Sequence, residues 1–222
     1  MKNILTKLLW PVLLAPVIYL ALIWNQLPRT IAMHFDLQDN ADRYGNKKEL
    51  IGLTAIFTAM NLFVYFLLTN MHRIDPKKYA ADNKERLRKI AFAVVVFMSA
   101  ILFAIIYSSR SGSTKPMMGF IFSGLGLLFA IIGNYMPNLK PNYFAGFRLP
   151  WTLEDPDNWK RTHALAGRLW FAGGLLLAIV CLFTPAVVSI VIFFTIMTVI
   201  VIIPCVFSYR LYKERKMKHN SQ

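Results

Sequence analysis

The chain has 222 residues, of which 56% are hydrophobic and 16% charged, and its formal net charge is +14. A soluble domain of this length needs far more polar surface, so the composition predicts that lipid solvates most of the chain. The Lys and Arg residues fall between long apolar runs, so direct nucleic-acid binding is not expected. Cys181 and Cys205 lie within apolar runs and predict neither a disulfide framework nor a zinc site.

Six apolar runs have the length needed to cross about 30 Å of hydrocarbon. They cover residues 8–24, 50–69, 90–109, 117–136, 169–184 and 186–207. The first run resembles a signal peptide but lacks a small-residue cleavage site, so we expect an uncleaved helix. Pro185 separates the last two runs and predicts a tight hairpin. The predicted fold is therefore an all-α polytopic membrane protein with six transmembrane helices.

The basic residues of the connections predict the orientation of the chain, because basic segments resist translocation. Of the 25 Lys and Arg residues, 19 lie on the side that carries both termini and 6 on the opposite side. This asymmetry predicts cytoplasmic amino and carboxyl ends. The first connection, residues 25–49, should then face outward.

The six runs contain no Asp, Glu, Lys, Arg or His. Proton relays, voltage sensors and ion-coupled transporters generally need such groups at membrane depth, so none of these functions is indicated. The second run contains a polar stripe, and two series of small residues lie in the fourth run and in the fifth run with the residues just before it. The stripe is Thr54, Thr58, Asn61 and Tyr65; the series are Gly119, Ser123, Gly126, Ala130 and Gly133, then Gly167, Gly174, Ala178 and Cys181. Their helical spacing predicts inward faces and close helix packing.

The outward loop is longer than a simple turn requires and is rich in polar residues. Its candidate site residues are Pro28, His34, Phe35, Asp36, Asp42, Tyr44, Gly45 and Lys47. A calcium loop that began at Asp36 would need Gly sixth and Glu twelfth, but Ala41 and Lys47 stand there. We therefore predict no metal site, and we expect the loop to fold against the membrane surface.

The inward segment before the fifth run has a strong helix start, because the Asp155 carboxylate precedes Pro156. Trp159, His163 and Gly167 follow at intervals of four and share one helix face. Two interpretations stay open for this segment: an interfacial aromatic belt in which Arg148 reaches lipid phosphate, and a partner-binding surface. No catalytic motif is recognisable, so neither an enzyme nor a cofactor is predicted.

At these two loops the chain resembles the SdpI family of membrane proteins. The inward likeness is carried by Asn142, Gly146, Phe147, Arg148, Trp151, Thr152, Leu153, Trp159, His163 and Gly167. The outward loop is similar to a small domain of unassigned function that often precedes the family signature, through Pro28, Ile31, His34, Phe35, Asp42, Gly45 and Lys47. It departs from that pattern at Ala32, Asp39 and Ala41, where proline or glycine is usual.

The resemblance implies a multi-pass protein of the bacterial plasma membrane that gives immunity to a secreted toxin. The expected partners are the lipid bilayer, a toxic peptide or protein outside, and a small winged-helix repressor held at the membrane inside. The predicted organisation is a two-helix unit over 1–70, a basic connection over 71–89, and an SdpI-like four-helix unit over 90–222. Residues 137–167 of this last unit form the signature loop.

Two further hypotheses stay open. The first is an uncoupled transporter of a neutral or amphipathic solute, lined by Thr54, Thr58, Asn61 and Tyr65. The second is an enzyme at the inner interface, with His163 as acid or base near Asp155 or Asp157. The oligomeric state is not predicted.

Overall fold

The computed structural model describes residues 2–36, 40–77, 80–113 and 115–220. Asp39 and the basic residue Lys78 lie outside these ranges. In chain order the elements are α1 (Lys2–Ile23), β1 (Thr30–Phe35), β2 (Ala41–Asn46), α2 (Lys48–Ile74), α3 (Lys84–Ser111), α4 (Lys115–Tyr135), α5 (Pro150–Glu154), α6 (Pro156–Val180) and α7 (Ala186–Asn220). Within the described ranges, six helices are long and apolar enough to cross a membrane. The predicted polytopic helical fold is confirmed.

The bundle has two ends, which we name by what they carry. The hairpin end carries β1, β2 and the short α3–α4 and α6–α7 connections. The basic end carries the start of α1, the α2–α3 connection, the signature loop and the end of α7. Contacts between Asp75 and Tyr143 and between Asp155 and Arg215 hold the basic end together. That this end faces the cytoplasm remains a prediction from the distribution of charge.

The outward loop folds into a β-hairpin, an element that the sequence did not predict. β1 and β2 pair antiparallel with Ile31 opposite Gly45, and the register shifts on both sides of His34. Ile31 is 2% exposed and packs with Leu50 and Ile106, so the hairpin closes over the ends of α1, α2 and α3. The strands were missed because they are short and because β2, ADRYGN, has no apolar alternation.

The predicted polar stripe of α2 faces into the bundle. Thr54, Asn61 and Tyr65 are buried, and Thr58 is half-buried. The Asn61 side-chain amide donates to the Val95 carbonyl on α3 at 3.3 Å, and Tyr65 packs against Val95. Lipid has no water to hydrogen-bond a polar side chain, so such side chains bond between neighbouring helices. The stripe therefore joins α2 to α3.

The predicted small-residue faces of α4 and α6 form one seam. A Cβ atom built on Gly126 would lie 2.6 Å from the Gly174 carbonyl oxygen, and one on Gly133 would lie 2.8 Å from that of Gly167. Only glycine allows the two backbones to approach this closely, which confirms the predicted packing face. α4 is therefore held to α6, while α3 packs with α1 and α2.

The last two long helices differ from the predicted runs in their ends. α6 begins at Pro156, thirteen residues before the apolar run, because the Asp155 carboxylate accepts from the amides of Asp157 and Asn158. It ends at Val180, so residues 181–184 form the predicted hairpin rather than the end of a span. α7 continues beyond the apolar run to Asn220 because its polar last turns also favour a helix.

Candidate functional site

The first part of the signature loop is built around the side chain of Asn142, which is 2% exposed. Its Oδ1 accepts from the amides of Phe144 and Ala145 at 2.9 and 2.7 Å. Its Nδ2 donates to the carbonyls of Lys140 and Ala145. The backbone groups of this turn make no helical hydrogen bonds. The side-chain amide of Asn142 thus satisfies both N–H donors and C=O acceptors of the turn.

His163 on α6 makes a hydrogen bond to the middle of the signature loop. Its Nδ1 lies 2.8 Å from the Trp159 carbonyl, and its Nε2 accepts from the Phe147 amide at 3.0 Å. These partners define a neutral ring with the proton on Nδ1. Gly146 has a φ of 100°, and a Cβ atom there would collide with Nε2 of His163. His163 in this position therefore requires glycine at 146.

Trp159 is the centre of the packing at this end and is 1% exposed. Its indole Nε1 donates to the Leu139 carbonyl at 2.7 Å. Its ring stacks on His163 with centroids 3.9 Å apart and planes at 18°. One turn beyond His163, Gly167 faces Pro137, whose Cδ would lie 2.6 Å from an added Cβ. The predicted helix face of Trp159, His163 and Gly167 is thus present, and it packs against the backbone of the signature loop.

The short helix α5 is fixed at its start by Thr152, which is fully buried. The Thr152 hydroxyl accepts from the Leu149 amide and lies 2.7 Å from the Phe147 carbonyl. Trp151 donates its indole N–H to the Ser208 hydroxyl on α7 at 3.0 Å and stacks on Tyr212. The α5 segment therefore bridges the loop and the last helix.

α7 is tied to the start of α6 by neutral and charged contacts. Asn158 is buried, donates to the Ser208 carbonyl at 2.9 Å and accepts from the Thr162 hydroxyl. The guanidinium of Arg215 pairs with the carboxylates of Asp155 and Asp157. Because Asp155 also caps α6, the tail of α7 contacts the turn that begins the helix.

The α2–α3 connection also docks on the signature loop, which sequence reasoning did not predict. The Asp75 carboxylate accepts from the Tyr143 amide at 2.8 Å, and Lys77 donates to the Leu153 carbonyl at 3.0 Å. Asn83 is fully buried and makes two hydrogen bonds with the backbone of Lys140, one to each polar group. These contacts span 57 to 76 residues along the chain, and no local pattern indicates them.

Most of the predicted inward site residues are thus brought together as the inside of one folded unit. Asn142, Thr152, Trp159 and His163 are buried, whereas Arg148 is exposed and donates to the Tyr143 carbonyl at 2.8 Å. Both ring nitrogens of His163 are bonded to backbone groups, and both carboxylates proposed beside it pair with Arg215. His163 is therefore not poised for acid–base catalysis. Arg148 and Tyr143 are exposed in the first part of the loop, where the Lys77 ammonium lies 5.2 Å from the centre of the Tyr143 ring.

The predicted outward residues also divide into residues that hold the loop in place and residues that are exposed. Lys47 donates to the carbonyls of Trp24 and Leu27 at 3.0 and 3.1 Å, which caps the end of the first helix with a cation. A Cβ atom on Gly45 would lie 2.6 Å from the Glu49 carboxylate. Lys47 therefore holds the hairpin against the end of the first helix, and Gly45 permits the close approach of Glu49.

The remaining outward residues lie toward the surface. His34 and Asp42 form an exposed pair at 2.6 Å, and the Asp36 carboxylate accepts from Asn40 at the hairpin tip. Tyr44 is 63% exposed, Pro28 is exposed and Phe35 is half-buried. No group of three or more potential metal ligands occurs in the described ranges. Tyr44 and the His34–Asp42 pair are therefore among the groups that this end exposes to a partner.

Comparisons with known proteins bear on both loops. The model of the SdpI/YfhL protein family matches residues 138–208, and that of the Domain of unknown function (DUF1648) matches residues 12–58. Immunity protein SdpI of Bacillus subtilis (strain 168) is 24% identical over 203 residues, which cover 87% of this chain and 88% of that protein. No solved structure matches significantly. The resemblance to the SdpI family is confirmed, both at the signature loop and along most of the chain.

Proposed function

We propose that this chain is a membrane immunity protein that meets a secreted toxin at its hairpin end and a cytoplasmic regulator at its basic end. The similarity to Immunity protein SdpI over 87% of the chain supports the first part. The second part is supported by the exposed Arg148 on a loop whose interior residues, such as Asn142 and His163, are buried. The regulator expected from the family resemblance is a small winged-helix repressor, and the membrane is the plasma membrane of a bacterium.

The observation that carries this proposal is the course of α2. The helix begins directly after the hairpin at Lys48 and ends at Ile74, one residue before Asp75 accepts the Tyr143 amide. Its 27 residues correspond to about 40 Å, enough to cross the bilayer. A single rigid element therefore contacts both candidate loops and offers a direct route for coupling them.

Coupling of this kind needs a difference in binding free energy between two conformations. On the hairpin side, Arg43 pairs with Glu49 in the first turn of α2 while both side chains are exposed. A toxin that competes for either group would alter the contact between the hairpin and α2. At the other end, a shift of α2 changes the position of Asp75 relative to the exposed side chains of Tyr143 and Arg148, which we call the Tyr143–Arg148 surface.

The toxin-facing part of the proposal is tested by survival. Toxin-sensitive cells that produce the chain are challenged with culture supernatant of Bacillus subtilis strain 168 and compared with cells that carry an empty vector. We expect protection by the parent chain and its loss in Tyr44→Ala. The matched control is Tyr107→Ala, which removes an exposed tyrosine near the same end but outside the hairpin. Equal amounts of each variant in the membrane are verified by immunoblot.

Two results contradict this part of the proposal. One is a parent chain that gives no protection. The other is equal protection by Tyr44→Ala and the parent, because the hairpin's exposed aromatic group then has no part in meeting the toxin.

The regulator-facing part is tested by recruitment. A fluorescent fusion of a small winged-helix protein encoded beside this chain's gene is produced together with each variant, and its share at the membrane is measured by microscopy. Arg148→Ala should release the fusion, because Arg148 is the exposed charge beside Tyr143 in the first part of the signature loop. Arg161→Ala removes an exposed arginine of α6 outside the Tyr143–Arg148 surface and should retain it. Equal recruitment by both variants refutes a docking role for Arg148.

A second candidate function, transport of a neutral or amphipathic solute, is favoured by one observation. The hydroxyls of Thr54 and Thr58 and Oδ1 of Asn61 are buried and find no hydrogen-bond partner among the described residues. Such atoms suit a passing polar solute. In vesicles, Asn61→Leu should lower solute flux under this hypothesis and leave toxin protection unchanged. Loss of protection without a change in flux favours the immunity hypothesis.

A further inference from the structure

A long apolar groove lies between α3 and α4, and Leu5 of α1 closes one side of it. Its volume is about 600 Å³, within the range of small-molecule sites in proteins. Most residues that line it are apolar, and the lining includes Lys89, Ala93, Phe97 and Ala100 on α3 and Gly124 and Tyr135 on α4. Val96 and Leu127 are 42% and 52% exposed, so the groove opens toward the surrounding lipid.

The groove results from how the two helices are held elsewhere. α4 is bound to α6 by the glycine seam, whereas α3 packs with α1 and α2. At the hairpin end the two helices meet, where the Ser108 hydroxyl lies 3.2 Å from the Met117 sulfur. Toward the basic end a groove opens between them, and its wall includes Gly124, where an added Cβ atom would lie 3.2 Å from the Phe97 ring. The space is therefore fixed by the packing of the whole bundle.

The length of the groove matches one leaflet of a bilayer. On α3 it runs from Lys89 to Ala100, and on α4 from Tyr135 back to Gly124. Eleven residues of helix correspond to about 16 Å, roughly half of a hydrocarbon core of about 30 Å. An acyl chain that enters from the basic end would fill the groove and stop near the middle of the membrane.

The end of the groove that lies at headgroup level is positively charged. The Lys89 ammonium lies 5.4 Å from the centre of the Tyr135 ring and has no carboxylate at ion-pair distance among the residues described. One turn earlier on α3, Arg86 lines a second cavity of about 390 Å³ with Lys140 and Lys160. These residues create a positive field just outside the apolar groove.

We propose that this groove binds an anionic glycerophospholipid from the leaflet at the basic end. One acyl chain lies between α3 and α4, the phosphate contacts the Lys89 ammonium, and further negative charge of the headgroup faces Arg86, Lys140 and Lys160. An apolar chain that ends in a phosphate complements both the apolar lining and the positive charge. This proposal does not rest on toxin immunity, because no residue of the groove belongs to the hairpin or to the Tyr143–Arg148 surface.

The proposal is tested on the purified full-length protein by native mass spectrometry. Phosphatidylglycerol and phosphatidylcholine with identical dioleoyl chains are titrated separately, and glycerol 3-phosphate is the probe without chains. We expect a single phosphatidylglycerol adduct that survives activation better than phosphatidylcholine, and no adduct with glycerol 3-phosphate. Lys89→Gln should lower the preference for phosphatidylglycerol about fivefold, because one lysine near a charged lipid contributes roughly that factor.

Matched variants separate the site from general effects. Lys84→Gln removes the same charge from the same end of α3 but lines neither cavity, so it should keep the preference. Ala93→Phe fills the groove and should weaken both lipids, whereas Ala55→Phe on an exposed face of α2 should weaken neither. Each variant is first required to elute as a single species. Equal loss in the two lysine variants, unchanged binding in Ala93→Phe, or an adduct with glycerol 3-phosphate overturns the proposal.

Discussion

The hairpin end and the basic end hold their candidate loops by different interactions. The hairpin is held by the apolar contact of Ile31 and by Lys47, while its other polar contacts, such as His34–Asp42, are exposed. The signature loop is held by buried polar groups, among them Asn142 and His163, that bond to its backbone. Buried hydrogen bonds are costly to leave unmade, whereas exposed ion pairs are weak. The hairpin end should therefore adapt to a ligand more easily than the basic end.

The largest expected effect comes from the centre of the basic end. Trp159→Ala removes a fully buried ring and its hydrogen bond to Leu139, and should lower the free energy of unfolding by about 3–5 kcal/mol. The measurement is the fraction of protein that stays monodisperse after heating. Trp10→Ala, whose side chain is 53% exposed on the lipid face, should have little effect. Equal losses in both variants would show that the basic end is not held from within.

The next largest effect is expected at the glycine seam between α4 and α6, the helix packing that supports both ends of the bundle. Gly126→Ala places a Cβ atom 2.5 Å from the Ala178 amide nitrogen, and overpacking of this kind costs about 1–3 kcal/mol. Gly52→Ala on α2 meets nothing within 4 Å and should stabilise its helix by about 0.5–1 kcal/mol. Thermal unfolding midpoints that move in the same direction would contradict the close approach of α4 and α6.

At the hairpin end, the strongest polar contact is the cap made by Lys47. Lys47→Met leaves the Trp24 and Leu27 carbonyls without their cation and should cost about 1–2 kcal/mol. The expected result is faster hydrogen exchange confined to residues 30–46, with exchange in the signature loop unchanged. Lys48→Met is the matched control, because its side chain is exposed. Faster exchange at both ends would mean that the ends are more strongly coupled than the contacts indicate.

The smallest effect is expected for the exposed pair of the hairpin. Asp42→Asn removes the charge beside His34, and a pair with 66% and 49% exposed side chains contributes at most about 1 kcal/mol. Hydrogen exchange in β1 and β2 should remain close to that of the parent chain. If exchange rises as much as in Lys47→Met, the hairpin depends on its surface charges, and the contrast between the two ends is lost.

Much of the frame could be predicted from local sequence. Apolar length indicated six helices, the Asp155–Pro156 pair indicated where α6 begins, and glycine spacing indicated the face by which α4 meets α6. The β-hairpin was missed because its strands are short and its apolar anchor is essentially Ile31. The contacts of Asp75, Asn83 and Arg215 were missed because each joins residues more than 50 positions apart. Periodicity carries no information about such pairs.

The sequence predicted which residues belong to the candidate site. Their roles became clear only from the fold. Trp159 and His163 were expected on one face, and they lie there, but as the interior of the loop rather than as its surface. A variant at Trp159 should therefore report folding, whereas one at Arg148, which is exposed, tests the proposed recognition. Burial depends on what packs opposite a side chain, and a single sequence does not reveal that neighbour.

The sequence by itself determined the number of helices, the end of the bundle that gathers the positive charge, and the seam between α4 and α6. These depend on apolar length, charge and residue size, which act locally in a membrane. Only the tertiary structure decided which polar residues of the loops are interior and which are free, and where α3 and α4 separate to leave a groove beside Lys89. Those features arise from contacts between segments distant in the chain, whose geometry is set by the packing of the complete bundle.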